Sequence, residues 1–293
     1  MDAYLLFLAL LLPGPPPAYA AGISAPTSHV QAELIAEQES IKPGEIFTVA
    51  IYLRMKEGWH TYWRNPGDSG LSTSLQWRLP AGFKAADVDW PYPDRFATPD
   101  SASYGYRDDA ALLSKLSAPV QLPQGSSVDV SVKVKWLECR EICVPGHAEL
   151  SVRLPVLTSQ PRSDPAVTRI FAQARQRIPQ ALGTGIFKGW SAQAFHNRGK
   201  IRLRLTPSPT NELSQADIVA VEFFPYDDGI IANDQPQHAK ADGRSLVLDM
   251  ALSRAPGADK ALKLSGVLVF KHRNQAIEIS VPIKEPSMRR KLA

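Results

Sequence analysis

One segment of the chain alternates apolar and polar residues with a period of two, from Val128 to Trp136. This alternation is typical of a strand with one face in a core and one face in water. A second segment of the same kind, residues 149–156, follows closely, so the two are predicted to pair as a hairpin. Cys139 and Cys143 lie between them, and the Pro145-Gly146 dipeptide favours a turn nearby. The two cysteines are therefore predicted to lie at or near a hairpin tip.

The rest of the chain carries similar strand signals. Residues 45–53 also alternate, and turn signals recur about every ten residues in a chain with 25 prolines, which indicates a β-sandwich. Residues 165–178 differ, because their apolar side chains fall at helical spacing. The strands predicted beyond this helix are Lys200–Leu205, Asp217–Phe224, Ser245–Met250, Leu262–Phe270 and Ala276–Ile283. The predicted fold class is all-β, with two consecutive β-sandwich domains and a short helix at the start of the second.

The distribution of charge divides the chain near residue 160. Residues 21–160 carry a net charge of −3, whereas residues 161–293 carry +8. The segment between them, SQPRSDP at 159–165, is typical of a linker. Domains are therefore predicted at residues 21–160 and 161–293. The basic half has no cluster of Lys and Arg interleaved with aromatic residues, so nucleic acid is not expected as a partner.

Residues 1–20 have the pattern of a secretory signal peptide. An apolar run at 3–12 is too short to span a membrane, and it is followed by prolines and by the small-x-small sequence Ala18-Tyr19-Ala20. The first residues carry Asp2 and no Lys or Arg, which departs from the usual pattern. We expect cleavage after Ala20 and export to the periplasm, a compartment in which disulfides form and persist.

Cys139 and Cys143 are the two cysteines of the chain. A disulfide between them would close a loop of three residues, and the entropic gain from a disulfide grows with loop length, so a purely stabilising role is a poor explanation. The spacing is one residue wider than that of a thioredoxin-type pair, and no helix N-terminus is predicted beside it. The pair is predicted to be a reactive dithiol, with an inert short-range disulfide or two buried thiols as the alternative.

Two further motifs accompany the cysteine segment WLECREICVP at 136–145. They are GWHTYWRNPGDSG at 58–70 and Tyr104-Gly105-Tyr106. Together these motifs resemble the periplasmic N-terminal region of DsbD-type thiol:disulfide interchange proteins, most closely the copper-sensitivity-suppressor (ScsB) branch. The resemblance covers essentially all of the chain after residue 20. It implies an immunoglobulin-like fold in which a loop caps the cysteine pair.

The resemblance also implies a function. Cys139 and Cys143 would take electrons from a membrane electron-transfer protein and pass them to oxidised, thioredoxin-like periplasmic proteins, which makes the chain a protein-disulfide reductase. No cofactor other than the redox-active disulfide is expected. Family proteins usually continue into a membrane domain and a thioredoxin-like domain, so here the electrons are expected to come from a separate protein. The same resemblance favours Cys143 as the cysteine that forms the mixed disulfide.

The capping residues are less well defined by the motifs. The residues before Tyr104 and Gly105 are Ser101-Ala102-Ser103, which depart from the acidic and aromatic residues of the better-known DsbD cap. The candidates for the cap or for a neighbouring loop are Tyr104, Tyr106, Trp63 and Asp68. The alternative for the aromatic members is packing in the core of a sandwich. Glu138 and Glu141 lie near the cysteines in the sequence and disfavour a thiolate, so a modestly reactive pair is expected.

Two other functions fit the same residues. Cys139, Cys143 and His147 are spaced by four and four, and soft sulfur ligands suit Cu(I), which would make the chain a copper-binding or copper-tolerance protein. In an extended strand, however, residues four apart are about 13 Å apart, so such a site would need a tight loop. The third function is a non-redox binding module that keeps the fold.

Overall fold

The structure is a computed structural model that describes residues 23–24 and 28–285. The predicted signal peptide, residues 1–20, lies outside the described residues. Strands dominate the described part of the chain, which confirms the predicted all-β class.

Residues 23–24 and 28–155 contribute to two antiparallel sheets that pack face to face. The strands are β1 (Ile23–Ser24), β2 (Val30–Ala36), β3 (Ile46–Met55), β4 (His60–Gly67), β5 (Ser74–Arg78), β6 (Lys84–Asp89), β7 (Asp94–Thr98), β8 (Ser101–Arg107), β9 (Asp109–Ser117), β10 (Ser127–Cys139) and β11 (Cys143–Pro155). One sheet has the order β1-β11-β10-β4-β8-β7, with β5 also paired to β10, and the other has the order β2-β3-β9-β6. Alternate residues of both sheets, such as Ile51 and Val130, are fully buried between them.

The remaining described residues form a second set of strands. They are β12 (Gln180–Ala181), β13 (Ser191–His196), β14 (Lys200–Thr206), β15 (Val221–Pro225), β16 (His238–Asp242), β17 (Ser245–Ala251), β18 (Lys263–Phe270) and β19 (Gln275–Lys284). Their order is β15-β18-β19-β13-β14-β17-β16, with β12 also paired to β19. The end of β19 pairs with β13, and the sheet folds at this point so that its two parts enclose a second core.

The β15-β18-β19 part of this sheet is buried on both faces. Along β18, Leu268 and Phe270 face the second core, whereas Val267 and Val269 join the first core. Phe224 of β15 also joins the first core. A strand covered on both sides has a continuous apolar sequence rather than an alternating one, which explains the apolar run at residues 267–270. The two halves of the chain therefore share a hydrophobic interface.

The first helix, α1 (Pro165–Arg177), begins at the N-cap Asp164, whose side chain accepts a hydrogen bond from the Ala166 amide. It was predicted at the start of the second domain, but its buried side chains pack on the first half. Phe171 is fully buried with Ile35 and Leu113, on the outer face of the β2-β3-β9 sheet. The sheets of the two halves lie on either side of residue 160, but α1 and the shared hydrophobic interface join the halves. The domain boundary near residue 160 therefore stays a prediction.

A second helix, α2 (Gln215–Val219), replaces the beginning of the strand predicted from Asp217 to Phe224. Ser214 and Asp217 form a capping box, in which each side chain bonds the other residue's amide. Asp217 is also paired with Arg273, and these hydrogen bonds hold the pKa of its carboxyl well below the usual value, against the effect of burial. The strand itself begins only at Val221.

Candidate redox site

The site is the closed end of the β10–β11 hairpin. The two strands pair in register from Ser127 opposite Pro155 to Cys139 opposite Cys143, which is the last pair before the tip. The cysteines form a disulfide, and their Cα atoms are 4.1 Å apart. The tip is formed by residues 140–142, and the Arg140 amide donates to the Ile142 carbonyl. The alternation of the sequence thus correctly predicted both strands and the position of the cysteines.

The predicted turn at Pro145-Gly146 is wrong, because both residues lie within β11. Gly146 lies opposite Trp136 in the register. A Cβ atom at Gly146 would come within 2.3 Å of the indole ring, so glycine is needed for space rather than for a turn.

The two cysteines differ in their exposure to solvent. Cys139 is only 2% exposed, whereas Cys143 is an exposed residue. Its neighbour Ile142 is 67% exposed, although it is a large apolar residue. A thiol arriving from solution therefore meets Cys143 first.

Tyr62 is the aromatic residue that reaches the disulfide. Its hydroxyl oxygen lies 3.8 Å from Cys143 Sγ. The ring is 3% exposed and is covered by Gly70, which has φ +105° and where a Cβ atom would lie 2.1 Å from the ring. Burial raises the pKa of Tyr62, so at neutral pH its hydroxyl keeps its proton and is able to donate it to sulfur in a hydrogen bond.

His60 lies beside the buried cysteine. It is the register partner of Cys139 across β4 and β10. Its ring stacks on Phe96 with centroids 4.6 Å apart and meets the Tyr62 ring edge to face at 5.3 Å. Burial, and then the positive charge of Arg107, lower the pKa of His60, so the imidazole is neutral at pH 7. The outer face of the disulfide is therefore lined by uncharged rings.

Glu138 lies on the opposite face of β10 from Cys139, because neighbouring side chains of a strand alternate. It is 1% exposed. Its carboxylate accepts hydrogen bonds from the Trp136 indole, the Ser28 hydroxyl, and the backbone and ring nitrogens of His29. Burial is the largest single influence and would raise the pKa of Glu138, but these donors together outweigh it and lower the pKa. The buried carboxylate thus fastens the end of β10 to the start of β2.

The four residues predicted for the cap or a neighbouring loop have their contacts elsewhere. Trp63 is fully buried and packs on Phe224 and Tyr226 of the second half. The hydroxyl groups of Tyr104 and Tyr106 donate to the Asn233 side chain and the Pro91 carbonyl, and Asp68 accepts from Asn233. None of these described contacts reaches a sulfur. A capping role for these residues stays a prediction.

Tyr62 and His60 were therefore missed as site residues. Both belong to the aromatic segment noted in the sequence, and the signal lies in its alternation. Thr61 and Trp63 face the core, so His60 and Tyr62 must face the other side of β4, toward the disulfide.

The three residues of the copper alternative are not brought together. His147 lies in β11, four residues beyond Cys143, which corresponds to about 13 Å along an extended strand. Among residues 23–24 and 28–285, no group of three or more His, Cys, Asp or Glu side chains is arranged to hold a metal ion. Within the same residues, no helix is both long enough and apolar enough to cross a membrane.

Comparison with solved structures shows the fold. The N-terminal periplasmic domain of ScsB from Proteus mirabilis aligns with a TM-score of 0.63 and 16% identity, over 92% of this chain and 99% of that chain. Spo0M, a sporulation control protein from Bacillus subtilis, aligns with 9% identity over 87% of this chain and 91% of its own, but its TM-score of 0.24 is too low to show a shared fold. No curated protein matches the chain.

One protein-family model matches the part of the chain that contains the site. Residues 31–155 match the family model described as thiol:disulfide interchange protein DsbD, N-terminal. The matched region contains both cysteines, Tyr62 and His60, and it ends with the last residue of β11. As the resemblance predicted, residues 31–155 are similar to the DsbD N-terminal family of thiol:disulfide interchange proteins.

Proposed function

We propose that this protein is a periplasmic protein-disulfide reductase that passes electrons through Cys139 and Cys143. The donor would be a membrane electron-transfer protein, and the acceptors would be oxidised, thioredoxin-like periplasmic proteins. The observation that carries the proposal is the pairing of an exposed cysteine with a buried one at the tip of the β10–β11 hairpin, within a region that matches the DsbD N-terminal family. Periplasmic localisation is supported by the family and by the signal pattern of residues 1–20.

The first half of the cycle reduces the disulfide. A thiolate of the reduced donor attacks Cys143 Sγ, because this sulfur belongs to the exposed residue. The bond between the two sulfurs breaks, and Cys139 leaves with the electron pair and takes up a proton. The donor's second thiolate then attacks the donor's first sulfur, which is the one held in the mixed disulfide with Cys143. This step releases Cys143 and leaves the donor oxidised by two electrons.

The second half of the cycle reverses these roles. The Cys143 thiolate attacks a disulfide of the acceptor and forms a mixed disulfide with it. Cys139, held next to Cys143 by the register of β10 and β11, then attacks Cys143 Sγ. The acceptor leaves as a dithiol, and the Cys139–Cys143 disulfide forms again. The hairpin holds the resolving sulfur at a fixed position, so resolution is intramolecular.

The assignment of roles can be tested with single-cysteine variants. In Cys139→Ala, the exposed Cys143 should attack 5,5′-dithiobis(2-nitrobenzoate) quickly and release one thionitrobenzoate. The resulting Cys143 mixed disulfide should then be attacked by a thioredoxin variant that keeps only its attacking cysteine, which releases the second thionitrobenzoate and joins the two proteins. In Cys143→Ala, the buried Cys139 should react at least about tenfold more slowly, since reactivity follows access and thiolate character. Equal rates for the two variants would contradict the assignment.

The exchange function is tested by the reduction potential of the wild-type pair, measured by equilibration in glutathione or dithiothreitol buffers with mass-spectrometric readout. A potential between about −180 and −270 mV, the range of working redox proteins, is expected. A potential below about −300 mV is typical of structural disulfides and would make the chain a non-redox binding module.

A further inference from the structure

Asn233 joins the second half of the chain to the surroundings of the disulfide. It lies in the segment between β15 and β16 and is 9% exposed. Its side-chain oxygen accepts from the Tyr104 hydroxyl at 2.9 Å, and its side-chain nitrogen donates to Asp68 Oδ1 at 2.8 Å. Its backbone oxygen accepts from the Arg95 guanidinium at 2.6 Å. One residue of the second half thus binds β7, β8 and the segment that follows β4.

Asp68 is the first residue of that segment, residues 68–73, which we call the cover segment. The second carboxylate oxygen of Asp68 accepts from the Ala102 amide at 2.8 Å, and the Asp68 amide donates to the Ala102 carbonyl at 2.9 Å. The hydroxyl groups of Ser69 and Ser103 are also 2.8 Å apart. The start of the cover segment is therefore fixed by β8 on one side and by Asn233 on the other.

Gly70, the third residue of the cover segment, lies against the ring of Tyr62 so closely that no Cβ atom fits between them. That Cβ atom would also lie 2.4 Å from Cζ, the ring carbon that carries the hydroxyl group, and this hydroxyl is the one that lies beside Cys143 Sγ. Since the cover segment holds the ring in place, its attachment through Asp68 affects how freely a thiol reaches the sulfur.

We propose that Asn233 is a positioning residue that limits the access of thiols to Cys143, by holding the cover segment against Tyr62. The proposal rests on the disulfide being the reactive site of the proposed function. It gives the second half of the chain a role in the reactivity of the first. Replacing Asn233 by alanine leaves the Tyr104 hydroxyl and the Asp68 carboxylate without this partner, and an unpaired buried polar group is costly enough to favour local opening.

The test is the rate at which dithiothreitol reduces the oxidised wild-type chain, Asn233→Ala, Tyr62→Ala and the double variant. Asn233→Ala should be reduced about tenfold faster than the wild type, the effect expected from losing the hydrogen bond that Asn233 donates to Asp68 in the cover segment. Tyr62→Ala removes the ring that Asn233 is proposed to hold, so the double variant should react no faster than Tyr62→Ala alone. Asp217→Asn is the matched control, because it weakens a buried ion pair confined to the second half. It should leave the rate unchanged.

Two results would overturn the proposal. One is a folded Asn233→Ala variant that is reduced at the wild-type rate. The other is an equal acceleration by Asn233→Ala in the wild-type and Tyr62→Ala backgrounds, which would show that it does not act through Tyr62. If near-ultraviolet circular dichroism shows that Asn233→Ala is misfolded, Asp68→Asn replaces it with the same expected outcome, since it weakens the same attachment.

This experiment is independent of the proposed function. Dithiothreitol reports access to the disulfide whether or not the pair exchanges electrons with a protein partner. A reduction potential below about −300 mV would end the exchange function without changing the rate comparison. An unchanged rate would reject the role of Asn233 without affecting the potential.

Discussion

The Tyr62 hydroxyl oxygen lies 3.8 Å from Cys143 Sγ, on the exposed side of a disulfide whose other cysteine is buried. The phenol is held in this position by the packing of its ring, and burial raises its pKa, so it remains a proton donor at neutral pH. In the reduced protein the same hydroxyl is placed to donate to a Cys143 thiolate, a form that Glu141 in the neighbouring tip disfavours.

Tyr62→Phe removes this donor and keeps the ring. A hydrogen bond to a charged group is worth about 1.5–3 kcal/mol, so alkylation of reduced Cys143 by iodoacetamide at pH 7 should slow by about tenfold. Stability in urea should change by less than about 1 kcal/mol, because the packing is retained. Tyr106→Phe is the control, since its hydroxyl donates to the Pro91 carbonyl and not to sulfur. An unchanged alkylation rate in Tyr62→Phe would show that the hydroxyl does not stabilise the thiolate.

Glu138→Gln tests the buried carboxylate behind Cys139. The pKa of Glu138 is lowered in the folded protein, so its carboxylate contributes stability above its ordinary value of about 4.5, and this contribution is lost as the pH falls through the folded value. The variant should lose about 2 kcal/mol of unfolding free energy at pH 7, since a neutral amide accepts these hydrogen bonds less strongly. The difference from the wild type should shrink below about pH 4.

Urea unfolding at pH 7 and at pH 3.5 to 4 measures both effects of Glu138→Gln. Glu141→Gln is the matched control, because Glu141 is exposed at the hairpin tip. The control should behave as the wild type at both pH values. A Glu138→Gln variant as stable as the wild type at pH 7 would mean that the four donors gain nothing from the negative charge.

The hairpin and its cysteines could be predicted from the sequence because local alternation determines both. Val128–Trp136 has one buried face, and a period of two admits a single register in which that face meets the core. The strand predicted from Asp217 failed for an equally local reason, since the capping box of Ser214 and Asp217 stabilises a helical turn there.

The remainder of the site depends on contacts between residues distant in sequence. Tyr62 and Cys143 are separated by 81 residues, and Asp68 and Asn233 by 165. No periodicity in either segment encodes such a contact. The alternation of the aromatic motif separates His60 and Tyr62 from Thr61 and Trp63, but which of the two faces meets the disulfide follows only from the pairing of β4 with β8 and β10.

His147→Ala separates electron exchange from copper binding. His147 lies on the extended strand β11, away from the disulfide along the hairpin. We expect the variant to keep the wild-type reduction potential and the wild-type affinity of the reduced protein for Cu(I), measured by competition with bicinchoninate. Cys143→Ala is the positive control, because it removes a soft sulfur ligand. A loss of Cu(I) affinity of tenfold or more in His147→Ala would restore the three-ligand site.

Phe224→Ala tests whether the two halves of the chain unfold together. Phe224 is fully buried, and its ring meets Trp63 at 6.3 Å and Tyr104 at 5.1 Å, both edge to face. Loss of a buried Phe typically costs about 3–5 kcal/mol. Because the ring contributes to the core of the first half, Phe224→Ala should lower the stability of both halves. Amide hydrogen exchange should accelerate in β4 and β8 as well as in β15.

Phe187→Ala provides the comparison, since Phe187 is buried in the second core alone and packs on Trp190. In Phe187→Ala, amide hydrogen exchange should accelerate first in the second half. Exchange in β4 should accelerate only to the extent that the whole chain unfolds. If Phe224→Ala left the protection of β4 and β8 unchanged, the first half would be stable without the second. The packing of Phe224 against Trp63 and Tyr104 would then contribute only to the association of two independent units.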